Sequence, residues 1–321
     1  SETISNQIEW FEAFTGFQQD LFLKELGDGA AVLALAEEAR IAAIGRQIVA
    51  AMGRSQGRPD RLISELAAML EELQHLVSGS RDETRQHLRR ILAMEVRKDA
   101  GFLDSLARFV ATLALEIEDD LDDLDGDDDE EEAVPQPGRR AAEAAFVRAL
   151  RAKAVSGARK CTLSKTSRNA QVLAWLDDRG ASIPSLGDLG SRILLQRAMA
   201  KISKAPSDFI AKIPKRYRIF RREAAAEDKW YETVPAAADV DALELDLVIL
   251  AMLRAASQIG DDVQIMRRLS DKAPAILGVV AGLRRDQILV DEATDFSPIQ
   301  LACMAALADP RTKSFFAIGD F

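Results

Sequence analysis

The chain has 321 residues, of which 48% are apolar and 29% charged, a balance that predicts a folded globular protein of about two domains. With only 18 glycines, 10 prolines and 6% aromatic residues, the composition favours helices over a β-sandwich or β-barrel. Two cysteines and two histidines exclude a disulfide framework and disfavour a zinc site. The sequence shows neither a membrane-spanning run nor a signal segment, so we expect a cytoplasmic protein without membrane contact.

The net charge of −10 averages two regions of opposite sign. Residues 116–132 carry thirteen acidic residues and no base, whereas residues 139–222 carry twenty Lys and Arg against five acidic residues. This asymmetry predicts a polyanionic partner for the basic region. The acidic stretch is either a solvated, flexible linker or a DNA mimic that covers the neighbouring basic surface.

Residues 8–120 carry apolar side chains at helical spacing, with interruptions at residues 27–29, 53–59 and 80. We expect antiparallel helices that form a bundle or a coiled-coil-like arm, with the aromatic residues between Trp10 and Phe22 in its core. Helical patterns resume after Arg139 and continue to residue 269.

The last 36 residues predict a strand, a helix and a second strand. Residues 286–290 form an apolar run, Ser297 offers an N-cap with Pro298 at the first helical position and Gln300 closing a capping box, and residues 314–318 are again apolar. This spacing predicts two parallel neighbouring strands joined by a right-handed crossover. A parallel sheet is normally covered on both faces, so we expect the sheet to belong to a longer protein.

Two carboxylates, Asp291 and Glu292, directly follow the first of these strands. Ligands of open α/β sheets bind at the carboxyl ends of the strands. The first carboxylate is suited to hold Mg²⁺ on a nucleotide, and the second to orient or deprotonate an attacking water. A strand end with two solvated acids has the same pattern, so the pair alone leaves both interpretations open.

The surrounding sequence resembles motifs II and III of superfamily 1 helicases of the UvrD/Rep type, with the HelD-like branch closest. The likeness consists of DEATDFSPIQL at residues 291–301 and FFAIGD at residues 315–320. A weaker likeness covers residues 209–253. Residues 1–205 correspond only in position to the helical 1B insertion of this family.

The resemblance implies an ATP-dependent DNA helicase or translocase with ATP and Mg²⁺ as cofactors. It implies that Asp291 binds Mg²⁺, that Glu292 activates the hydrolytic water, and that Gly319 and Asp320 lie in the loop that couples the nucleotide site to DNA. Thr294 stands where the family has Gln, and the sequence has no phosphate-binding G-x-x-x-x-G-K-[ST] motif. We therefore expect a fragment that does not hydrolyse ATP by itself.

The predicted fold class is mostly α, a helical bundle or arm, with a partial α/β RecA-like (P-loop NTPase) parallel-sheet edge at the C-terminus. The predicted domains are a helical arm at residues 1–118, an acidic flexible linker at 119–138, a basic helical nucleic-acid-binding domain at 139–283, and a partial RecA-like domain at 284–321.

A basic stretch that interleaves cations with aromatic residues is the predicted contact to DNA, single-stranded or at a junction. Tyr217 and Phe220 either stack on unpaired bases or pack inward, since they are three residues apart on a helix. A second group at residues 165–169 either contacts a phosphate or only caps a helix. The predicted nucleic-acid-binding residues are Lys212, Lys215, Arg216, Tyr217, Arg218, Arg221 and Arg222.

Two other functions remain open at this stage. One is a HelD-like, ATP-driven RNA polymerase recycling factor, whose helical arms insert into the polymerase and whose acidic stretch mimics nucleic acid. The other is a non-catalytic nucleic-acid-binding module without ATPase motifs.

Overall fold

A computed structural model describes residues 6–113, 138–181, 183–224 and 240–319. Within these ranges the chain is mostly helical and has a single sheet of two parallel strands, which confirms the predicted helical class. Contacts group residues 1–71 and 202–321 into a first unit and residues 72–201 into a second. The predicted domains divide the chain elsewhere, at residues 118, 138 and 283. Residues 119–137 of the predicted linker lie outside the described residues.

The first unit begins with three helices and ends with the α/β segment. Its core contains Trp10, Phe14 and Phe22, so the aromatic cluster is buried, as predicted. The elements that lie wholly within this unit are α1 (Gln7–Ala34), α2 (Ala39–Ser55), α3 (Pro59–Leu66), α9 (Ala205–Ala211), α10 (Ile213–Ala224), α11 (Ala242–Gly260), α12 (Val263–Leu269), α13 (Ala275–Leu283), β1 (Gln287–Val290), α14 (Pro298–Ala306) and β2 (Ser314–Ala317).

The second unit has its own apolar core, formed by residues between Leu88 and Ile193. Phe102 and Phe146 meet edge to face within it, with ring centroids 5.9 Å apart. The helices that build this unit are most of α4 (Leu70–Lys98), α5 (Phe102–Thr112), α6 (Arg139–Arg159), α7 (Arg168–Asp178) and most of α8 (Gly187–Ser203).

Two of the predicted helix interruptions are wrong. Helix α1 continues through residues 27–29, and α4 continues through Ser80. A Cβ on Gly27 would lie 3.1 Å from the Cε of Met52, so this glycine lets α2 approach α1 closely while the helix continues. Tertiary packing here outweighs the low helix propensity of glycine. The chain breaks instead at residues 35–38, and the predicted break at residues 53–59 is confirmed.

The C-terminal strand–helix–strand segment forms as predicted. Strands β1 and β2 are parallel, with Gln287 opposite Ser314 and Val290 opposite Ala317. Ser297 accepts a hydrogen bond from the backbone N–H of Gln300, whose side chain accepts one from the N–H of Ser297, which completes the predicted capping box. Leu289 and Phe316, paired in register, are 69% and 61% exposed, so one face of this sheet is uncovered.

None of the helices in the described ranges combines the length and apolar character needed to cross a membrane.

Candidate functional site

The carboxylates of Asp291 and Glu292 lie at the carboxyl end of β1, and both residues are exposed. The backbone of Glu292 has φ 52°, a left-handed conformation that is uncommon for a residue other than glycine. This turn directs the Glu292 N–H towards its neighbour, where it donates to Oδ1 of Asp291 at 3.0 Å. Such backbone strain is concentrated at functional positions in proteins.

The end of β2 packs against the same turn. The N–H of Ile318 donates to the carbonyl of Val290 at 2.9 Å, and the N–H of Ala293 donates to the carbonyl of Ile318 at 2.7 Å. Gly319 follows so closely that a Cβ at this position would lie 3.0 Å from the backbone N of Thr294. The structure therefore brings Gly319 next to the Asp291–Glu292 turn. Asp320 lies outside the described residues.

A braced turn before β2 fixes its position beside β1. The Arg311 guanidinium donates two hydrogen bonds of 2.9 Å to Asp309, and these lower the pKa of that carboxyl to about 2. Asp309 donates its backbone N–H to the carbonyl of Arg285, and Thr312 donates its hydroxyl to the carbonyl of Asp286. Both contacts tie the entry of β2 to the entry of β1, so the two strand ends reach the site in register.

The one cysteine near this segment is structural. Cys303 on α14 donates its Sγ hydrogen to the carbonyl of Asp246 on α11, at 3.2 Å. Burial, with a contribution from Asp246, raises the pKa of the Cys303 thiol to about 11. Because the thiol stays protonated near neutral pH, it is not a nucleophile for this site.

The donor set fits a nucleotide-bound magnesium ion better than a metal held by protein alone. Within the described part of the chain, no group of three or more His, Cys, Asp or Glu side chains could hold a metal. Mg²⁺ in nucleotide sites typically uses one or two carboxylates together with phosphate oxygens and water. Asp291 and Glu292 supply carboxylates of that kind and number, and their exposure leaves room for the phosphates.

The predicted DNA-binding stretch is part of α10, and three of its seven predicted residues are buried. Arg216 has no exposed surface; its guanidinium donates to Glu25 at 3.0 Å and to the carbonyl of Asp208 at 3.1 Å. A guanidinium enclosed in this way is not available to a phosphate. The prediction that Arg216 binds nucleic acid is therefore wrong.

Tyr217 and Arg221 are the other two buried residues, and both contact Glu244. The Tyr217 hydroxyl donates to Oε1 of Glu244 at 2.9 Å and accepts a bond from the indole N–H of Trp10 at 3.3 Å. Arg221 donates to the same carboxylate oxygen at 2.8 Å. Tyr217 and Arg221 are only 3% and 8% exposed, so their predicted nucleic-acid contacts do not fit the structure either.

The two aromatic residues of this stretch pack inward. Tyr217 and Phe14 meet edge to face with ring centroids 5.0 Å apart, and the ring of Phe220 lies 4.8 Å from that of Trp10. Both rings belong to the aromatic core of α1, so they do not form a base-stacking surface.

The four remaining predicted residues lie towards the outside of α10. Arg218 and Arg222 are exposed and one turn apart, with Lys215 half-buried on the same side. Lys212 is less accessible, because its ammonium pairs with the carboxylate of Asp208 at 3.0 Å. Burial raises the pKa of that Asp208 carboxyl. The accessible cations of α10 are therefore Lys215, Arg218 and Arg222.

The second candidate group, at residues 165–169, is a helix start in the structure. Ser167 caps α7 by accepting a hydrogen bond from the N–H of Ala170 at 3.2 Å, and Thr166 accepts one from Gln171 at its carbonyl. These contacts agree with the capping interpretation and leave Lys165 exposed.

The two carboxylates that pair with the buried arginines of α10 are not among the residues predicted from the sequence. Glu244 has a local sequence signal, because its spacing from Asp241 is that of a capping box, which the two residues form at the start of α11. That signal predicts a helix start, and the two further bonds to Glu244 depend on how α10 packs. Glu25 lies within α1 and has no local signal, because its partner Arg216 is 191 residues away.

Comparison of the chain with protein-family models, curated proteins and solved structures finds no match.

Substitution of Glu244 tests the buried network. We expect Glu244→Ala to lower the free energy of unfolding by about 3–5 kcal/mol, because it removes the carboxylate that pairs with buried Arg221. Glu223→Ala, at an exposed position of α10, is the control and should change the free energy of unfolding by less than about 0.5 kcal/mol. Urea unfolding followed by circular dichroism measures both, and equal effects would contradict the network's role.

Substitution of Gly319 tests the close approach of the two strand ends. Gly319→Ala should displace the turn and lower the free energy of unfolding by about 1–3 kcal/mol, since the new methyl group meets backbone. Gly278→Ala is the control, because its Cβ would meet nothing within 4 Å. Urea unfolding gives the stabilities, and amide chemical shifts of Ala293 and Thr294 report the displacement. Unchanged shifts at these two residues would refute the contact.

Proposed function

We propose that this chain is part of an ATP-dependent DNA helicase or translocase and carries the carboxylate half of its nucleotide site. The observation that supports this most directly is the juxtaposition of the two motif segments. The Asp291–Glu292 turn ends β1, and Gly319 at the end of the parallel strand β2 packs against the backbone of Thr294. Paired parallel strand ends are where open α/β sheets bind nucleotides.

In this proposal each carboxylate has a separate role. Asp291, oriented by the hydrogen bond from the Glu292 N–H, holds the magnesium ion of MgATP. The ion neutralises charge on the phosphates when it is bound. Glu292 accepts a proton from, or orients, the attacking water. Gly319 links this turn to the following loop, through which the nucleotide site communicates with DNA.

The uncovered sheet face supports the proposal that β1 and β2 belong to a larger, RecA-like domain. A parallel sheet is normally covered on both faces, yet Leu289 and Phe316 are mostly exposed here. On helix α13, Val279 and Leu283 are likewise apolar and are 62% and 49% exposed. Further strands and helices of the same domain would cover these side chains.

The phosphate-binding part of the site has to come from another segment of the polypeptide. The 321 residues contain no G-x-x-x-x-G-K-[ST] motif, whose backbone amides and lysine hold the phosphates. The gene sequence on both sides tests this proposal. We expect that motif upstream of Ser1 and a glutamine shortly after Phe321. A start codon and a stop codon at these two positions would leave a nucleic-acid-binding module and remove the ATPase assignment.

Substitution of the two carboxylates tests the assigned roles in the polypeptide that contains the phosphate-binding loop. Asp291→Asn and Glu292→Gln should each lower kcat for ATP hydrolysis by at least about 100-fold, since each removes a charge needed at the reacting phosphate. DNA affinity, measured by fluorescence anisotropy, should stay within twofold. Asp271→Asn, at an exposed position outside the two motif segments, is the matched control and should retain turnover. Retained turnover in either of the first two variants would remove that residue from the active site.

The proposed contact to single-stranded DNA consists of Lys215, Arg218 and Arg222. Their cationic ends lie along one side of α10, where they can bind successive phosphates without reading sequence. The aromatic residues of this helix are buried, so the contact is to the backbone rather than to the bases.

Combined replacement of these three cations by alanine should weaken binding of a labelled dT20 strand at least tenfold. The slope of log affinity against log salt should become shallower by about 2, at roughly 0.7 for each lost phosphate contact. Lys24→Ala, Arg46→Ala and Arg267→Ala together remove the same charge from exposed positions elsewhere in the first unit and serve as the control. An unchanged slope in the α10 variant would refute this surface.

A further inference from the structure

The excess positive charge of the described residues lies in the second unit. Its described residues include twenty Lys and Arg and ten Asp and Glu, whereas those of the first unit include 21 basic and 23 acidic residues. The thirteen acidic residues at 116–132 belong to the second unit as well and bring its total to 20 basic and 23 acidic residues. The positive charge is therefore a local property of the surface formed by the described residues, where it attracts a polyanion over the range of a Debye length.

At least half of the described acidic residues in this unit are engaged by neighbouring cations. Glu83 lies 3.7 Å from Arg192, and Asp104 binds Arg139 at 2.7 Å. The other ion pairs are Asp82 with Arg85, Glu95 with Lys98, and Asp99 with Arg179. These pairs leave particular cations without a carboxylate partner.

Three such arginines lie together on α4. Leu88, Ile91 and Leu92 face the core of the unit, whereas Arg90 and Arg97 are exposed on the opposite side of the helix and Arg89 is exposed on the adjoining flank. Within the described residues, none of these three guanidiniums makes a hydrogen bond or ion pair. Arg90 and Arg97 are seven residues, or about 10.5 Å along the axis, apart. We call this side the arginine face of α4; its other exposed residues include Gln86, Ala93 and Met94, and the exposed Asp82 and Glu83 lie on the same side two turns before Arg89 and Arg90.

The arginine face has no aromatic side chain to stack on unpaired bases. The described aromatic residues of this unit that are not fully buried, Phe109 and Trp175, stack on each other with centroids 5.6 Å apart, and Arg179 covers Trp175. Proteins that bind single strands without sequence preference typically combine cations with aromatic platforms. A face of arginines alone is suited to phosphates, which it can contact with two donors each.

We propose that the arginine face of α4 binds the phosphate backbone of a nucleic-acid duplex without reading its sequence. A duplex carries one charge per about 1.7 Å of axis, so the 10.5 Å between Arg90 and Arg97 spans about six phosphates. This surface is separate from the cations of α10 and belongs to the second unit. The proposal rests on nucleic acid being the partner of the proposed function, but it does not depend on ATP hydrolysis.

The test compares variants of the full chain in binding to a fluorescein-labelled 30-base-pair DNA duplex of mixed sequence. The triple variant Arg89→Ala, Arg90→Ala and Arg97→Ala should bind at least tenfold more weakly at 100 mM salt. Its salt slope should become shallower by about 2.7, at roughly 0.9 for each lost contact. The control is the combination Lys24→Ala, Arg46→Ala and Arg267→Ala, which removes equal charge from the first unit and should stay within twofold of the parent chain. Circular dichroism confirms that each variant folds.

The outcomes separate this proposal from the proposed function. If the parent chain binds neither the duplex nor dT20, nucleic acid is not the partner and both proposals fail. If the parent binds the duplex and the α4 variant matches the control, the arginine face is refuted while the proposed function stands. Binding to poly-L-glutamate is measured in parallel. If the α4 variant binds poly-L-glutamate more weakly but binds the duplex as well as the control does, the face recognises acidic protein surfaces, and the duplex proposal is overturned.

Discussion

Burial of charge governs the arrangement of the first unit. Glu244 has no exposed surface and accepts hydrogen bonds from Tyr217, Arg221 and the backbone of Asp241, while Arg216 is enclosed against Glu25. An uncompensated buried charge costs several kcal/mol, so each of these groups is retained only where its partner is in place. The network thereby fixes α10 between α1 and α11. It also decides which cations of α10 remain available to a ligand.

A second constraint acts at the strand ends. The Asp291–Glu292 turn adopts a left-handed conformation, and Gly319 lies so close to it that a side chain would collide with backbone. Strained or tight backbone persists only when the surrounding structure holds it in place. Here the holding elements are the parallel pairing of β1 with β2 and the braced turn around Asp309. The site is therefore organised before any ligand binds, as a nucleotide site requires.

The pairing of some cations with carboxylates shapes both proposed nucleic-acid surfaces. On α10, inward-facing arginines pair with carboxylates and leave Arg218 and Arg222 exposed. On α4, neighbouring acids pair with other cations and leave Arg89, Arg90 and Arg97 exposed. Each surface consists of cations that reach solvent while other cations of the same helix pair with carboxylates. In the two proposals both surfaces are sequence-independent contacts to phosphate, one for a single strand and the other for a duplex.

The sequence by itself determined the features that depend on neighbours along the chain. Helical spacing gave the helical class, and the Ser297 capping box with its flanking apolar runs gave the parallel strand pair and the position of Asp291 and Glu292. Only the tertiary structure decided that Arg216, Tyr217 and Arg221 are buried, because their partners Glu25 and Glu244 lie far away in the chain. It likewise decided that α1 continues through residues 27–29. Local sequence patterns reflect the conformation that a residue favours with its neighbours along the chain, whereas burial depends on packing between distant segments.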